Sequence, residues 1–234
     1  MNYSPSSENE FLTGQVLLFD KPCGWSSFDV VKKVKYLICK RYNLKNIKVG
    51  HAGTLDPLAT GLLIICTGKF TKRISEFQNQ EKTYTGTITL GGATPSYDLE
   101  TEIDTNYKTS HITKDLIHKT IKQFIGEINQ KPPIFSALKS KGERLYKKAR
   151  RGEEVTLKSR RVMVSQFNVI SIENLIVTFE IKCSKGTYIR SIANDLGKAL
   201  NSGGYLTKLC RTAIGDYQLS KGLDIEHFAK ILNM

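Results

Sequence analysis

The chain has 234 residues, with 35 Lys and Arg against 22 Asp and Glu, a formal charge of +13. At 40% hydrophobic and 24% charged residues it is neither disordered nor fibrous, and it is long enough to bury a sizeable core. Its longest aliphatic run, Leu62 to Cys66, is far short of the ~20 apolar residues of a membrane-spanning helix, and the polar opening MNYSPSSENEFLTG has no basic or apolar region of a secretory signal.

Residues 1–13 read as a short disordered leader. Gly14 to Phe19 reads as a strand ending at the turn Asp20-Lys21-Pro22-Cys23-Gly24. Ser26 or Ser27 can cap a helix in which Phe28, Val31, Val34, Tyr36, Leu37 and Ile38 recur near helical spacing. Gly50 to Gly61 is a Gly-, Thr- and Pro-rich loop, followed by a buried strand over Leu62 to Cys66 and a short helix near Lys69 to Phe77. Lys82 to Leu90 alternates like a strand, and Pro95 to Lys108 reads as a long connection. Thr113 caps an amphipathic helix with Leu116, Ile117, Ile121, Phe124 and Ile125 inward. A further helix is predicted from Glu143 to Arg151. Val162 to Ile172 and Leu175 to Lys182 form a hairpin turning at Glu173-Asn174. Thr187 to Leu200 is helical, Tyr205 to Leu219 resembles a second hairpin turning at Gly215-Asp216, and Leu223 to Leu232 is a terminal helix.

This order has no strict βαβ alternation. The expected class is therefore α+β, a mixed, mostly antiparallel sheet with flanking helices, in a single domain over residues 14–234. Five cysteines without a C-x-x-C pair read as reduced thiols, and four scattered histidines give no zinc spacing.

The charge is local. Residues 32 to 48 hold seven bases and no acid, and residues 131 to 161 hold eleven bases and three acids, so the rest of the chain is close to neutral. Two concentrated patches on a near-neutral body suit a polyanion, with nucleic acid favoured over a membrane surface because a large exposed apolar face is missing.

The most informative stretch is Gly50-His51-Ala52-Gly53-Thr54-Leu55-Asp56-Pro57-Leu58-Ala59-Thr60-Gly61. Alone, Asp56-Pro57 would read as a helix N-cap followed by a first-turn proline. The whole string resembles the catalytic motif of the TruB family of tRNA pseudouridine synthases. Further segments resemble that family in the same order: Leu18-Phe19-Asp20-Lys21-Pro22 with Gly24-Trp25-Ser26-Ser27, then Lys82-Thr83-Tyr84, then Ser136-Ala137-Leu138-Lys139 with Gly142-Glu143-Arg144-Leu145-Tyr146. Cys183-Ser184-Lys185-Gly186-Thr187-Tyr188-Ile189-Arg190 and Leu206-Thr207-Lys208-Leu209-Cys210-Arg211-Thr212 complete the likeness, which spans about residues 14 to 232.

The resemblance implies the pseudouridine synthase fold and isomerisation of uridine 55 in the T loop of tRNA. The base would leave the ribose at N1, rotate in the pocket and rejoin through C5, with no cofactor or metal. Asp56 matches the catalytic aspartate, acting as nucleophile on C1′ or as base at C2′, and it must be ionised for either. Arg190 matches the arginine that pairs with that aspartate, and Tyr84 the tyrosine that stacks on the target base. Tyr188 matches a second pocket tyrosine, and His51 a histidine that enters the space of the flipped nucleotide. Leu209 matches an apolar contact to the uridine, and Lys21 a lysine beside the pocket. The second basic segment, about residues 131–161, coincides with the family's RNA-clamping thumb, which points to Lys139, Lys141, Arg144, Lys147, Lys148, Arg150 and Arg151 as RNA contacts.

By the same resemblance the partner is the T arm of tRNA, with no membrane and no obligatory protein partner, for a monomer in the cytoplasm. The chain stops where many members continue into a PUA domain, so that domain is expected to be missing. Pro95-Ser96-Tyr97-Asp98 stands in place of a more acidic segment, Lys69 where Glu is frequent, and Thr207-Lys208 dilutes an arginine-rich element. A glycosidase-like RNA hydrolase would want a second carboxylate, and no matching pair is evident. Gly68-Lys69 lacks the spacing of a P-loop.

Overall fold

The computed structural model describes residues 8–136, 138–140, 142–153, 155 and 157–233. Two compact units emerge where a single domain was expected: one holds the chain up to Tyr84 and again from Leu209, the other Thr85–Lys208.

The first unit opens with α1 (Glu8–Thr13), so the leader predicted to be disordered through residue 13 is helical from Glu8. The reason is Phe11, which is completely buried among the side chains of this unit's larger core. β1 (Val16–Lys21) follows, then α2 (Ser27–Arg41), whose N-cap Ser26 and Asp29 form a reciprocal capping box. β2 (Val49–His51) and β3 (Thr60–Thr67) flank the glycine-rich loop, and both β1 and β2 run antiparallel to β3.

β3 is buried on both faces, which is why it reads as an unbroken apolar run rather than an alternation. Leu63 and Ile65 face the core formed with α2, while Leu62, Ile64 and Cys66 face a second core with Phe77 and Ile214. A 3-10 turn (Gly68–Arg73) leads into α3 (Ile74–Gln78) and then β4 (Lys82–Leu90), whose residues from Thr85 onward belong to the second unit.

The second unit continues with the paired β5 (Gly92–Ala93) and β6 (Thr105–Asn106), then α4 (Lys114–Ile121), capped by Thr113. Ile117, Ile121 and Phe124 are buried as predicted. Ile125 is 45% exposed instead, because α4 gives way at Lys122 to a 3-10 turn that changes the phase of the apolar stripe. β7 (Gly126–Gln130), the short pair β8 (Lys139–Ser140) and β9 (Glu143–Arg144), and α5 (Leu145–Arg150) come next.

β10 (Arg160–Glu173) and β11 (Ile176–Cys183) make the expected antiparallel hairpin. Its turn lies one residue later than predicted, at Asn174 and Leu175, both with positive φ (48° and 68°) as a two-residue hairpin turn requires. α6 (Ile189–Ala199) buries Ile189, Ile192, Ala193 and Leu196, and β12 (Gly204–Ile214) returns the chain to the first unit at Leu209. In the second unit the strand order is β12, β4, β11, β10, β7. In the first, β12 runs parallel to β3 with Cys210 opposite Thr60 and Arg211 opposite Gly61, β13 (Tyr217–Gln218) pairs back onto β12, and α7 (Ile225–Ile231) ends the chain on the larger core. The sheet is mixed and mostly antiparallel with flanking helices. No helix among the described residues is long and apolar enough to cross a membrane.

Candidate active site

Asp56 lies half-buried in the loop between β2 and β3, and the backbone is fixed on both sides of it. On one side, the Leu55 N–H donates to Ser27 Oγ at 2.8 Å while that hydroxyl donates back to the Leu55 carbonyl at 3.1 Å. On the other, the Pro57 carbonyl accepts from the Gly24 N–H at 2.8 Å and from Lys21 Nζ at 3.3 Å. The Ala59 N–H donates to the Asp56 carbonyl at 3.1 Å, closing a turn with Asp first and Pro second, a favoured arrangement. Asp56-Pro57 is thus a tight turn and not the start of a helix.

Beneath the loop lies Arg211, a guanidinium buried to 1% exposure. Its Nε donates to the Leu62 carbonyl at 2.8 Å and a terminal nitrogen to the Gly53 carbonyl at 3.1 Å, so one side chain ties the loop to β3. Gly61, with φ +100°, is needed for this approach, since a Cβ there would lie 2.4 Å from the Arg211 carbonyl oxygen. Thr60 Oγ1 donates to the carbonyl of Leu209 at 3.4 Å, which sets the half-buried Leu209 beside the end of the loop.

Lys21 is fully buried and its ammonium satisfies three carbonyls, those of Pro22, Trp25 and Pro57. Burial pushes its pKa down to about 8; Cys23 and Asp56 oppose that shift and Arg211 adds to it. His51, half-buried in β2, is held below its usual pKa by burial and then by Arg211, against a smaller opposing effect of the Gly53 backbone. Its ring is therefore neutral at neutral pH. Tyr84 is 9% exposed on β4, and Thr212 Oγ1 donates to the neighbouring Thr83 carbonyl at 3.3 Å.

Tyr188 and Arg190 lie in the second unit, at the start of α6. Gln130, fully buried at the end of β7, grips the backbone of Tyr188: its Oε1 accepts from the Tyr188 N–H at 2.7 Å and its Nε2 donates to the Tyr188 carbonyl at 3.0 Å. Arg160 stacks its guanidinium 5.2 Å from the centre of the Tyr188 ring. Arg190 is no surface base. At 3% exposure it donates to the carbonyls of Ser96 (3.2 Å) and Phe135 (2.9 Å) and pairs with Asp98 at 3.5 Å.

Among the predicted RNA contacts, Lys139 lies in β8 and Arg144 in β9, Lys147, Lys148 and Arg150 are on α5, and Arg151 follows it; Lys141 is outside the described residues. Two of these bases already have acidic partners. Arg151 pairs with Glu143 and Glu153 at 2.8 and 2.7 Å, and Arg150 with Glu100 at 2.8 Å, so their charge is partly spent within the unit.

Sequence reasoning missed Ser27, Gln130 and Arg211 as positioning residues. The signals available were faint: Ser27 was one of two possible caps, and Arg211 sat in a matched segment without an assigned role.

The fold is an α+β sheet with a loop-mounted carboxylate and basic segments in the chain around it, and its class follows from its likeness to the pseudouridine synthases. The family profile described as TruB family pseudouridylate synthase (N terminal domain) matches residues 40–189. A protein of Flavobacterium johnsoniae named tRNA pseudouridine synthase B is 58% identical over 224 residues, covering 95% of this chain and 98% of the relative. A protein of the same name from Phocaeicola vulgatus is 52% identical over 223 residues, covering 95% of each. Among solved structures, a Cbf5-Nop10-Gar1 complex is similar with TM-score 0.70 and 27% identity over 95% of this chain; this chain spans 55% of that one, about half its length. The chain belongs to the TruB family and is an isomerase that modifies tRNA.

Proposed function

We propose that the chain converts uridine 55 in the T loop of tRNA to pseudouridine, with Asp56 as the catalytic carboxylate. The observation that carries this reading is the clamp around Asp56: residues 55 and 57 are tied to the end of β1, the β1–α2 turn and the start of α2, so the backbone that carries the carboxylate is fixed before substrate arrives. A preset carboxylate spares the reaction the cost of ordering it. The chemistry balances within the substrate. The N1–C1′ bond breaks, the C5–C1′ bond forms, C5 gives up a proton and N1 takes one, so no cofactor or metal is consumed.

Tyr84 offers an aromatic face to the uracil in transit, and the neutral His51 ring fills the stack that the flipped nucleotide leaves. Leu209, Tyr188 and Arg190 take part in substrate recognition. Lys21 acts through the loop, because its donors are turned to backbone carbonyls. The thumb bases bind the phosphates of the T arm. The enzyme works as a monomer in the cytoplasm, without a protein partner. One solved relative, 26% identical with TM-score 0.67 over 94% of this chain and 53% of its own, is described as bound to a substrate RNA containing 2'-deoxyuridine, which agrees with a uridine as the target.

The test is to incubate the protein with an unmodified tRNA transcript and map pseudouridine by nucleotide. A single T-loop uridine should be converted without added metal or nucleotide. Asp56→Asn should lose turnover while keeping tRNA affinity within a few-fold. Turnover by that variant, or modification only outside the T loop, would sink the reading.

A further inference from the structure

α2 has a second face that the fold does not explain. Its inward side, Val30, Val31, Val34, Leu37 and Ile38, is buried in the larger core of the first unit. Its outward side carries two large aromatic residues that touch no core: Phe28 is 61% exposed and Tyr36 54%. They stand two turns apart on one side of the helix, with lysines between and beyond them. Lys32 Nζ sits 5.3 Å from the centre of the Phe28 ring, and Lys33 and Lys40 sit 5.6 and 5.9 Å from that of Tyr36.

The one acid of the helix, Asp29, is engaged with Ser26 in the N-terminal cap and with Lys32 at 2.7 Å, so it leaves the strip cationic. A surface hollow lined by Gly24, Trp25, Asp29, Lys32 and Lys33 opens at the start of this strip. Gly24 is also hydrogen-bonded to Pro57, next to Asp56. The strip therefore begins at the catalytic loop and runs along a 15-residue helix, about 22 Å at 1.5 Å per residue.

We propose that this strip is a second RNA contact, distinct from the thumb, which holds the sugar-phosphate backbone and an unpaired base of the substrate tRNA beside the reacting nucleotide. The proposal rests on the tRNA reading above. Aromatic side chains alternating with lysines suit RNA because rings offer a stacking surface to any base while ammonium groups neutralise phosphates. A membrane surface is the poorer partner, since two rings separated by lysines do not form the continuous apolar face an interfacial helix buries.

The test uses the full chain with two double variants, Phe28→Ala with Tyr36→Ala, and Lys33→Gln with Lys40→Gln. These side chains project into solvent, and circular dichroism checks that the fold is kept. Affinity for unmodified tRNA is read directly by fluorescence anisotropy over a salt series. Pseudouridine formation is read in single turnovers at saturating enzyme. Each double variant should weaken tRNA binding about tenfold, the aromatic pair with an unchanged salt slope and the lysine pair with a slope reduced by about one to two. Single-turnover rates at saturation should equal the wild type.

Wild-type tRNA affinity in both variants would overturn the proposal. So would a loss confined to binding of anionic phosphatidylserine vesicles, which would assign the strip to a membrane. A wild-type protein that binds tRNA yet makes no T-loop pseudouridine would overturn the proposed function alone, because the binding comparison is independent of turnover.

Discussion

Lys21 is a fully buried charge whose hydrogen bonds go to backbone carbonyls. Its ammonium has three protons and three backbone carbonyls to give them to, and one of those carbonyls belongs to Pro57, beside Asp56, the proposed catalytic carboxylate. Burial nevertheless disfavours the charged form and brings its pKa from 10.5 to about 8. Between those two values an unfolded chain binds a proton that the folded chain has released. By linkage, stability from this group rises with pH across roughly 8 to 10.5, and the full cost of burying the charge is present below pH 8. The wild type should accordingly gain stability relative to Lys21→Met as pH rises from 8 to 10, measured by urea denaturation at a series of pH values. A difference independent of pH would show that the amine titrates at the same value folded and unfolded. Arg211 stands in the same relation to the loop. Two of its donors are committed to the Gly53 and Leu62 carbonyls, so it acts on Asp56 through the backbone and on His51 through its charge.

α2 joins core, loop and surface in one element, and its start is where local sequence and tertiary structure meet. Ser26 caps the helix, a role written in the Ser-x-x-Asp spacing. Ser27, one residue on, has turned its hydroxyl away from capping to bracket both backbone groups of Leu55. Ser27→Ala would leave a buried N–H and a buried carbonyl with fewer partners, a loss of about 1–3 kcal/mol. Thermal unfolding should register that loss, and kcat should fall more than KM rises, because the loop and not the RNA surface is loosened. An unchanged kcat would show that the loop keeps its position without this bracket. The two serines also mark what was legible. Elements with a strong period, such as α6 with its stripe from Ile189 to Leu196 and the β10–β11 hairpin, follow from local pattern alone. β7 was missed because Glu127 and Asn129 face solvent and only Gln130 is fully buried, so it shows no apolar alternation. At the candidate site, the loop that carries Asp56 was legible from its run of Gly, Thr and Pro. Gln130 and Arg211 were not, because a polar side chain buried by partners 58 or 149 residues away leaves no periodic trace.

At the scale of the whole molecule, the excess of +13 is divided between two segments, one on and just beyond α2 in the first unit and one over residues 131–161, the proposed thumb, in the second. A polyanion held by such segments releases counterions as it binds, and each phosphate neutralised adds about 0.7 to 0.9 to the slope of log affinity against log salt. The number of bases overstates that slope. Arg150 and Arg151 are already paired with Glu100, Glu143 and Glu153, so part of the charge of residues 131–161 is neutralised within the unit. No such ion pair involves Lys147 or Lys148 among the described residues. An engagement of about six phosphates would cost roughly a thousandfold in tRNA affinity between 50 and 200 mM salt. Replacing Lys147 and Lys148 by Gln should flatten the slope by about two and weaken binding at low salt, with little effect at high salt where the electrostatic gain is already lost. Arg151→Gln should flatten it less, because that guanidinium is already paired with Glu143 and Glu153 and counts for less against a phosphate. Anisotropy titrations across the salt series separate these cases. Equal slopes for the wild type and the lysine variant would place the RNA away from α5 and leave the thumb's charge without a phosphate to meet.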